Sequence, residues 1–159
     1  MNKTILIAEP GKLEVLVTRT FDAPRERVFK AFTDPNLIPL WWGPRYLTTT
    51  VEKMEVRAGG MWRFVQRDPS GSVYAFHGVY HEVSAPGRIV QTFEFEGTPG
   101  HVLMETDTLE EQDGKTRLTT QSVFQSVDDR DEMLKSGMEG GQDESYERLS
   151  ELLAKTERE

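Results

Sequence analysis

The sequence predicts an α+β fold: one strand and two short helices, then six antiparallel strands, then a long helix laid across the concave face of the sheet. Three observations carry this. A nearly period-2 run at Leu13, Val15 and Val17 leads to Phe21. Turn-forming segments recur between β-branched and aromatic runs from Leu47 to Phe124. An apolar stripe at helical spacing, ending in Leu149, Leu152 and Leu153, closes the chain and must be buried somewhere.

The alternation up to Phe21 is that of a half-buried strand. Pro24 suits the first turn of a helix, with Glu26 near its positive end and Val28, Ala31 and Phe32 as its apolar stripe; Asp34-Pro35 stops it. Asn36 to Trp42 forms a second short helix, broken by Gly43-Pro44. Strands follow over Leu47 to Val56, Met61 to Arg67, Val73 to Val83, Ile89 to Phe95, His101 to Glu110 and Thr116 to Phe124. The intervening Asp68-Pro69-Ser70-Gly71, Ala85-Pro86-Gly87, Gly97-Thr98-Pro99-Gly100 and Asp113-Gly114 segments carry the Pro, Gly and Asp that tight turns need. Asp128 or Asp129 caps a short helix ending at Gly137, and Met138 to Ala154 forms the long last helix. The expected sheet has about seven strands, in a single domain over 13–156, with residues 1–12 as an N-terminal extension or edge strand.

Composition narrows the function classes. The chain of 159 residues is 36% hydrophobic, enough for one compact core. It has no cysteine, which excludes disulfides and thiolate metal sites and fits a reducing, cytoplasmic setting. With 27 acidic against 19 basic residues its formal charge is -8, which opposes binding to a phosphate backbone. Ile5 to Ala8 is too short an apolar run for a signal segment or a membrane span. Nucleic acid and membrane insertion are therefore not expected, and either a monomer or a homodimer fits the composition.

The last helix carries the functional clue. Its inner stripe runs through Met138, Gly141, Gln142, Ser145, Tyr146, Leu149, Leu152 and Leu153. The first half offers glycine, amide and hydroxyl where a filled core would hold large aliphatics, so Gln142 and Ser145 are expected to line a ligand cavity, unless Gln142 turns to solvent. Facing it, Trp62 and Phe64 share one strand face, Tyr74, Phe76 and Tyr80 another, and Phe93 a third. With Trp42 these form an expected aromatic lining, whose phenol hydroxyls orient the polar end of a ligand.

Catalytic signatures are sparse. His77 and His81 are four apart on a strand, too far to share a metal, and are expected on the outer face. No nucleophile elbow, zinc-protease or phosphate-loop pattern occurs. Glu105 and Asp107 share a face with Leu103 and Leu109. Turned inward they form a general acid or base pair; turned outward they are solvated charges. No metal or organic cofactor is called for.

The segments Arg19-x-Phe21-Asp22-Ala23-Pro24, Phe32-Thr33-Asp34-Pro35, Trp41-Trp42-Gly43-Pro44, Gly59-Gly60-x-Trp62, Phe76-His77-Gly78-Val79-Tyr80, Arg88-Ile89-Val90-x-Thr92-Phe93 and Gly137 to Gly141 resemble the START-like, polyketide-cyclase (SRPBCC) superfamily. Within it, the chain looks like the stand-alone bacterial form of the family named for the activator of heat-shock protein 90 ATPase. The resemblance implies a helix-grip fold enclosing a hydrophobic cavity, which in that superfamily serves lipids, hormones or polyketides. Binding of a small, largely apolar or amphipathic ligand is the leading expectation. A cyclase or hydratase acting on a similar ligand, and a chaperone-activating module of a stress response, are the alternatives. Gln142 departs from the resemblance, because family members commonly carry a large apolar residue there.

Overall fold

The computed structural model describes residues 2–157. The alternating run becomes β2 (Glu14–Phe21), in which every second side chain is buried. A three-residue strand, β1 (Ile5–Ile7), pairs with its outer edge and is the eighth strand of the sheet, beyond the seven anticipated. Helix α1 (Arg25–Thr33) follows Pro24 and buries Val28, Phe29 and Ala31, and the one-turn α2 (Ile38–Trp41) buries Ile38 and Trp41. The sheet continues as β3 (Thr48–Met54), β4 (Met61–Arg67), β5 (Val73–Ser84), β6 (Arg88–Phe95), β7 (Val102–Gln112) and β8 (Lys115–Val123). Two helices end the chain, α3 (Val127–Lys135) and α4 (Met138–Glu157).

All neighbouring strands are antiparallel, in the order β1-β2-β8-β7-β6-β5-β4-β3. The meander from β3 to β8 is thus continued by β2, so the first long strand pairs with the last. Asp113, at φ 55, and Gly114, at φ 76, make the two-residue turn joining β7 to β8, as expected for a type I′ hairpin. The α3 cap differs from the expectation. Ser126, not Asp128 or Asp129, accepts the Asp129 backbone N–H at 3.0 Å. The two aspartates fall within the first turn, where their charge meets the positive end of the helix.

The core lies between the sheet and α4. Tyr146, Leu149 and Leu153 are buried on one helix face, against Phe21, Val15, Val17, Leu109 and Leu118 from the sheet. Full burial of each such aliphatic side chain is worth ~1.5–3 kcal/mol, which holds an otherwise polar helix in place. A second attachment ties α4 to α2: Arg148 donates to the carbonyls of Gly43 at 2.7 Å and Leu40 at 3.1 Å, and the Gly43 N–H donates to Ser145 Oγ at 2.9 Å. Gly43 has φ 97 and no room for a Cβ, which would meet Gln66 Nε2 at 2.0 Å. Only glycine makes this junction without displacing Gln66.

Candidate functional site

The sequence pattern leaves the first half of α4 without bulk, and a cavity of about 290 Å³ opens there between the helix and the sheet. Strand parity decides what faces it. Phe64 comes from β4, Phe76 and Tyr80 from β5, Phe93 from β6, and Trp42 closes over the end of α2. Trp42 packs edge-on to Phe64 at 5.1 Å and to Phe76 at 5.3 Å between ring centroids, and Phe76 lies 5.4 Å from Phe93. Gln142 and Ser145 border the same space from α4.

Two residues expected in the lining lie elsewhere. Tyr74 sits at the start of β5, where its hydroxyl donates to Asp68 Oδ2 at 3.3 Å in the preceding turn, so it is spent on the turn and does not border the cavity. Trp62 is 1% exposed and packs against Phe64 at 4.7 Å and Phe93 at 5.9 Å, which makes it the support beneath the lining.

Glu105 and Asp107 both turn inward and border the cavity, so their outward alternative does not apply. The reason is register. Ser122, Glu105, Gln91 and Tyr80 are directly paired in sequence across β8, β7, β6 and β5, forming one polar row on the concave face. Asp107 lies opposite Thr120 in the next inward row. On one side of this belt stand Leu103, Phe93 and Phe124; on the other stand Ile89, Leu109 and Leu118. The cavity therefore has an aromatic end and a polar end.

Hydrogen bonds organise the polar end. Gln142 Nε2 donates to the Tyr146 hydroxyl at 2.8 Å, that hydroxyl lies 3.2 Å from Thr120 Oγ1, and Thr120 Oγ1 donates to Asp107 Oδ1 at 2.7 Å. With Tyr146 accepting from Gln142, its proton is free to point at Thr120, so the chain delivers donors toward Asp107. Burial pushes the Asp107 carboxyl up to about 6, opposed by the Thr120 hydrogen bond. Burial pushes Glu105 further, to about 8, with the neighbouring Asp107 charge adding to it and a hydrogen bond from Gln91 opposing it. The Tyr80 and Tyr146 hydroxyls are also raised, chiefly by burial and then by the Asp107 charge. The pair therefore gives up its two protons in separate steps and holds about one negative charge at neutral pH.

Sequence reasoning passed over Gln91, Thr120 and Ser122, and put Tyr146 on the inner stripe of α4 without naming it in the lining. Parity with Phe93 and with Phe124 was the signal that marks the first three as inward. The histidines stand away from the cavity. His77 pairs with Glu96 at 2.9 Å and Glu94 at 3.4 Å on the opposite face, and His101 pairs with Asp129 at 2.9 Å. No helix is long and apolar enough to cross a membrane among the described residues.

A second hollow, of about 390 Å³, adjoins the aromatic end and shares Phe93, Leu103, Phe124 and Met133 with the first. It reaches the β6–β7 turn and α3, through Thr98, His101 and Ser136.

The model of the family described as activator of Hsp90 ATPase homolog 1-like protein matches residues 22–154. A crystal structure of a Mycobacterium smegmatis protein is similar at 26% identity, covering 94% of this chain and 96% of that one, with a TM-score of 0.86. A solution structure of an Arthrobacter aurescens protein is 27% identical over 95% of this chain and 91% of its own, at a TM-score of 0.88. A Rhodobacter sphaeroides crystal structure is 25% identical over 96% and 98%, also at 0.88. No curated protein matches the chain.

Proposed function

The chain belongs to the activator of Hsp90 ATPase homolog 1-like family, and on that premise we propose that it binds a small amphipathic molecule in the cavity between the sheet and α4. The observation that carries this is the division of one cavity into an aromatic end and a hydrogen-bonding end, which suits a ligand with an apolar body and a polar head. The volume of about 290 Å³ lies at the small end of ligand sites, so the bound part of the ligand is compact. A reducing, cytoplasmic setting belongs to the same reading and rests on the cysteine-free composition.

Gly141 gives the test. It borders the cavity, and a Cβ added there meets nothing within 4 Å. Gly141→Phe therefore fills the space without disturbing the helix contacts. Native mass spectrometry of the protein purified from its own host is expected to show a bound small molecule that the variant lacks. An adduct equally present in the filled variant, or absent from both, counts against the cavity as the ligand site.

A second reading is a cyclase or hydratase acting on such a ligand. The paired inward carboxyls favour it, because one raised above neutrality and one below supply an acid and a base side by side. The chaperone-activator reading ranks below both. The large exposed apolar side chains, among them Ile5, Leu40, Tyr46, Val73 and Met104, come from different elements and so do not by themselves define a docking face.

A further inference from the structure

Resting on the cavity as the ligand site, we infer that its ligand is a cation: an amphipathic amine whose protonated head lies against Glu105 and Asp107 while its apolar body lies on the rings of Trp42, Phe64, Phe76 and Phe93.

Charge balance is the first argument. Among the described residues bordering the cavity there are two carboxyls and no lysine, arginine or histidine. Cations are also missing from the groups that perturb either carboxyl: burial and the Thr120 hydrogen bond act on Asp107, and burial, the Asp107 charge and a Gln91 hydrogen bond act on Glu105. Asp107 is 7% exposed, and a charge so enclosed is costly unless it is paired. The donor chain from Gln142 through Tyr146 and Thr120 favours the anion without neutralising it. A ligand bringing one positive charge completes the site, whereas an anionic head such as a fatty acid carboxylate would meet like charge.

The second argument is an unfilled acceptor. Tyr80 is 3% exposed and borders the cavity beside the Asp107 charge, yet no hydrogen bond reaches its hydroxyl among the described residues. Its oxygen, the Glu105 and Asp107 carboxyls and the Ser122 hydroxyl sit on neighbouring strands of one belt. They form an acceptor-rich patch, and an ammonium offers only donors. A divalent metal is a poorer match, because no group of three His, Cys, Asp or Glu side chains is placed to hold one among the described residues.

The third argument is the wall. Aromatic ring faces attract an organic cation as well as burying its apolar body, so the approach past Phe93 and Phe76 suits an amine better than a carboxylate.

Three probes that share a body and differ in the head test this: naphthylethylamine, naphthylethanol and naphthylacetate, titrated calorimetrically at neutral pH. The amine is expected to bind about tenfold or more tighter than the alcohol, as a charged hydrogen bond predicts, with the acid weakest. Asp107→Asn should narrow the gap between the amine and the alcohol by weakening the amine more than the alcohol, and Glu105→Gln, an independent variant should Asp107→Asn fold poorly, should narrow it in the same direction. Amine binding should also release protons, read from the heat in two buffers of different ionisation enthalpy, because a cation draws both carboxyls down. Alcohol or acid binding as tightly as the amine, with binding lost in Gly141→Phe, overturns the cation and leaves the cavity reading standing. Failure of all three probes overturns both.

Discussion

Trp62 sits directly opposite Gly78 in the β4–β5 ladder, and its indole occupies the space that a side chain at position 78 would take. A Cβ there would come within 1.9 Å of the Thr92 carbonyl oxygen and 2.6 Å of Trp62 Nε1. Gly78→Ala is accordingly expected to destabilise by ~1–3 kcal/mol or more, since backbone as well as side chain must move. Trp62→Ala leaves a large void behind the lining and should cost ~3–5 kcal/mol. Chemical denaturation of each variant checks both; a loss below ~1 kcal/mol for Trp62→Ala would show that the ring is not packed as described.

Stability should fall as pH rises from about 4 to about 8. Glu105 and Asp107 have folded values of about 8 and about 6, against ordinary values of 4.5 and 3.8. Across that window the folded state holds more protons than the unfolded one, so their contribution is complete below about 4 and lost as each ionises. Glu96 works the other way. Arg63, then His77, hold it at about 2, so its contribution is present above 4.5 and is lost only as pH falls below that. Urea midpoints measured from pH 5 to pH 9 should therefore decline, and the double variant Glu105→Gln/Asp107→Asn should flatten the decline. An unchanged slope in the double variant would rule out these two groups as its source.

Gln142→Met should change stability by less than ~1 kcal/mol, because Tyr146 keeps Thr120 as a partner when the amide is removed and Gln142 is only half-buried. The same change should weaken a ligand head held at the polar end by on the order of 1 kcal/mol. Thermal unfolding and probe titration on the same pair of proteins separate the two effects. A loss of ~2 kcal/mol or more in stability would mean that the space beside α4 is filled core.

Removing Tyr146 to Glu159 deletes Leu149 and Leu153 from the core and should abolish cooperative unfolding. The milder Leu149→Ala should cost ~2–5 kcal/mol. A truncated chain that melts as sharply as the full one would show that the sheet does not need its helix.

The sheet was legible because its strands are bounded by turn residues with few alternatives. Met61 to Arg67 lies between a glycine pair and Asp68-Pro69, and Asp113-Gly114 admits almost only a two-residue hairpin. The α4 stripe was legible for the same kind of reason, as leucines at helical spacing have one place to go. Glu105 and Asp107 were not, because both faces of β7 mix polar and apolar residues: Leu103, Glu105, Asp107 and Leu109 against Met104, Thr106 and Thr108. Alternation alone cannot orient such a strand. The pairing of Glu105 with Gln91 and Ser122 decides it, and that is a property of three strands together. Tyr74 had the right parity and the wrong depth: parity reports which face a side chain takes, and the turn at Asp68 decides how far along the strand the cavity extends.

Ser122, Glu105, Gln91 and Tyr80 each come from a different strand, at positions whose backbone hydrogen bonds do not depend on the side chain. Any one of them can be exchanged for another residue of similar size while the other three and the ladder stay in register. Because the four are cross-strand neighbours, with Gln91 bonded to Glu105, a change at one also alters how the next is presented, and the recognition surface varies on one unchanged scaffold. A lineage built on this sheet can diverge in what it recognises by single substitutions, with no intermediate that must first unlearn how to fold.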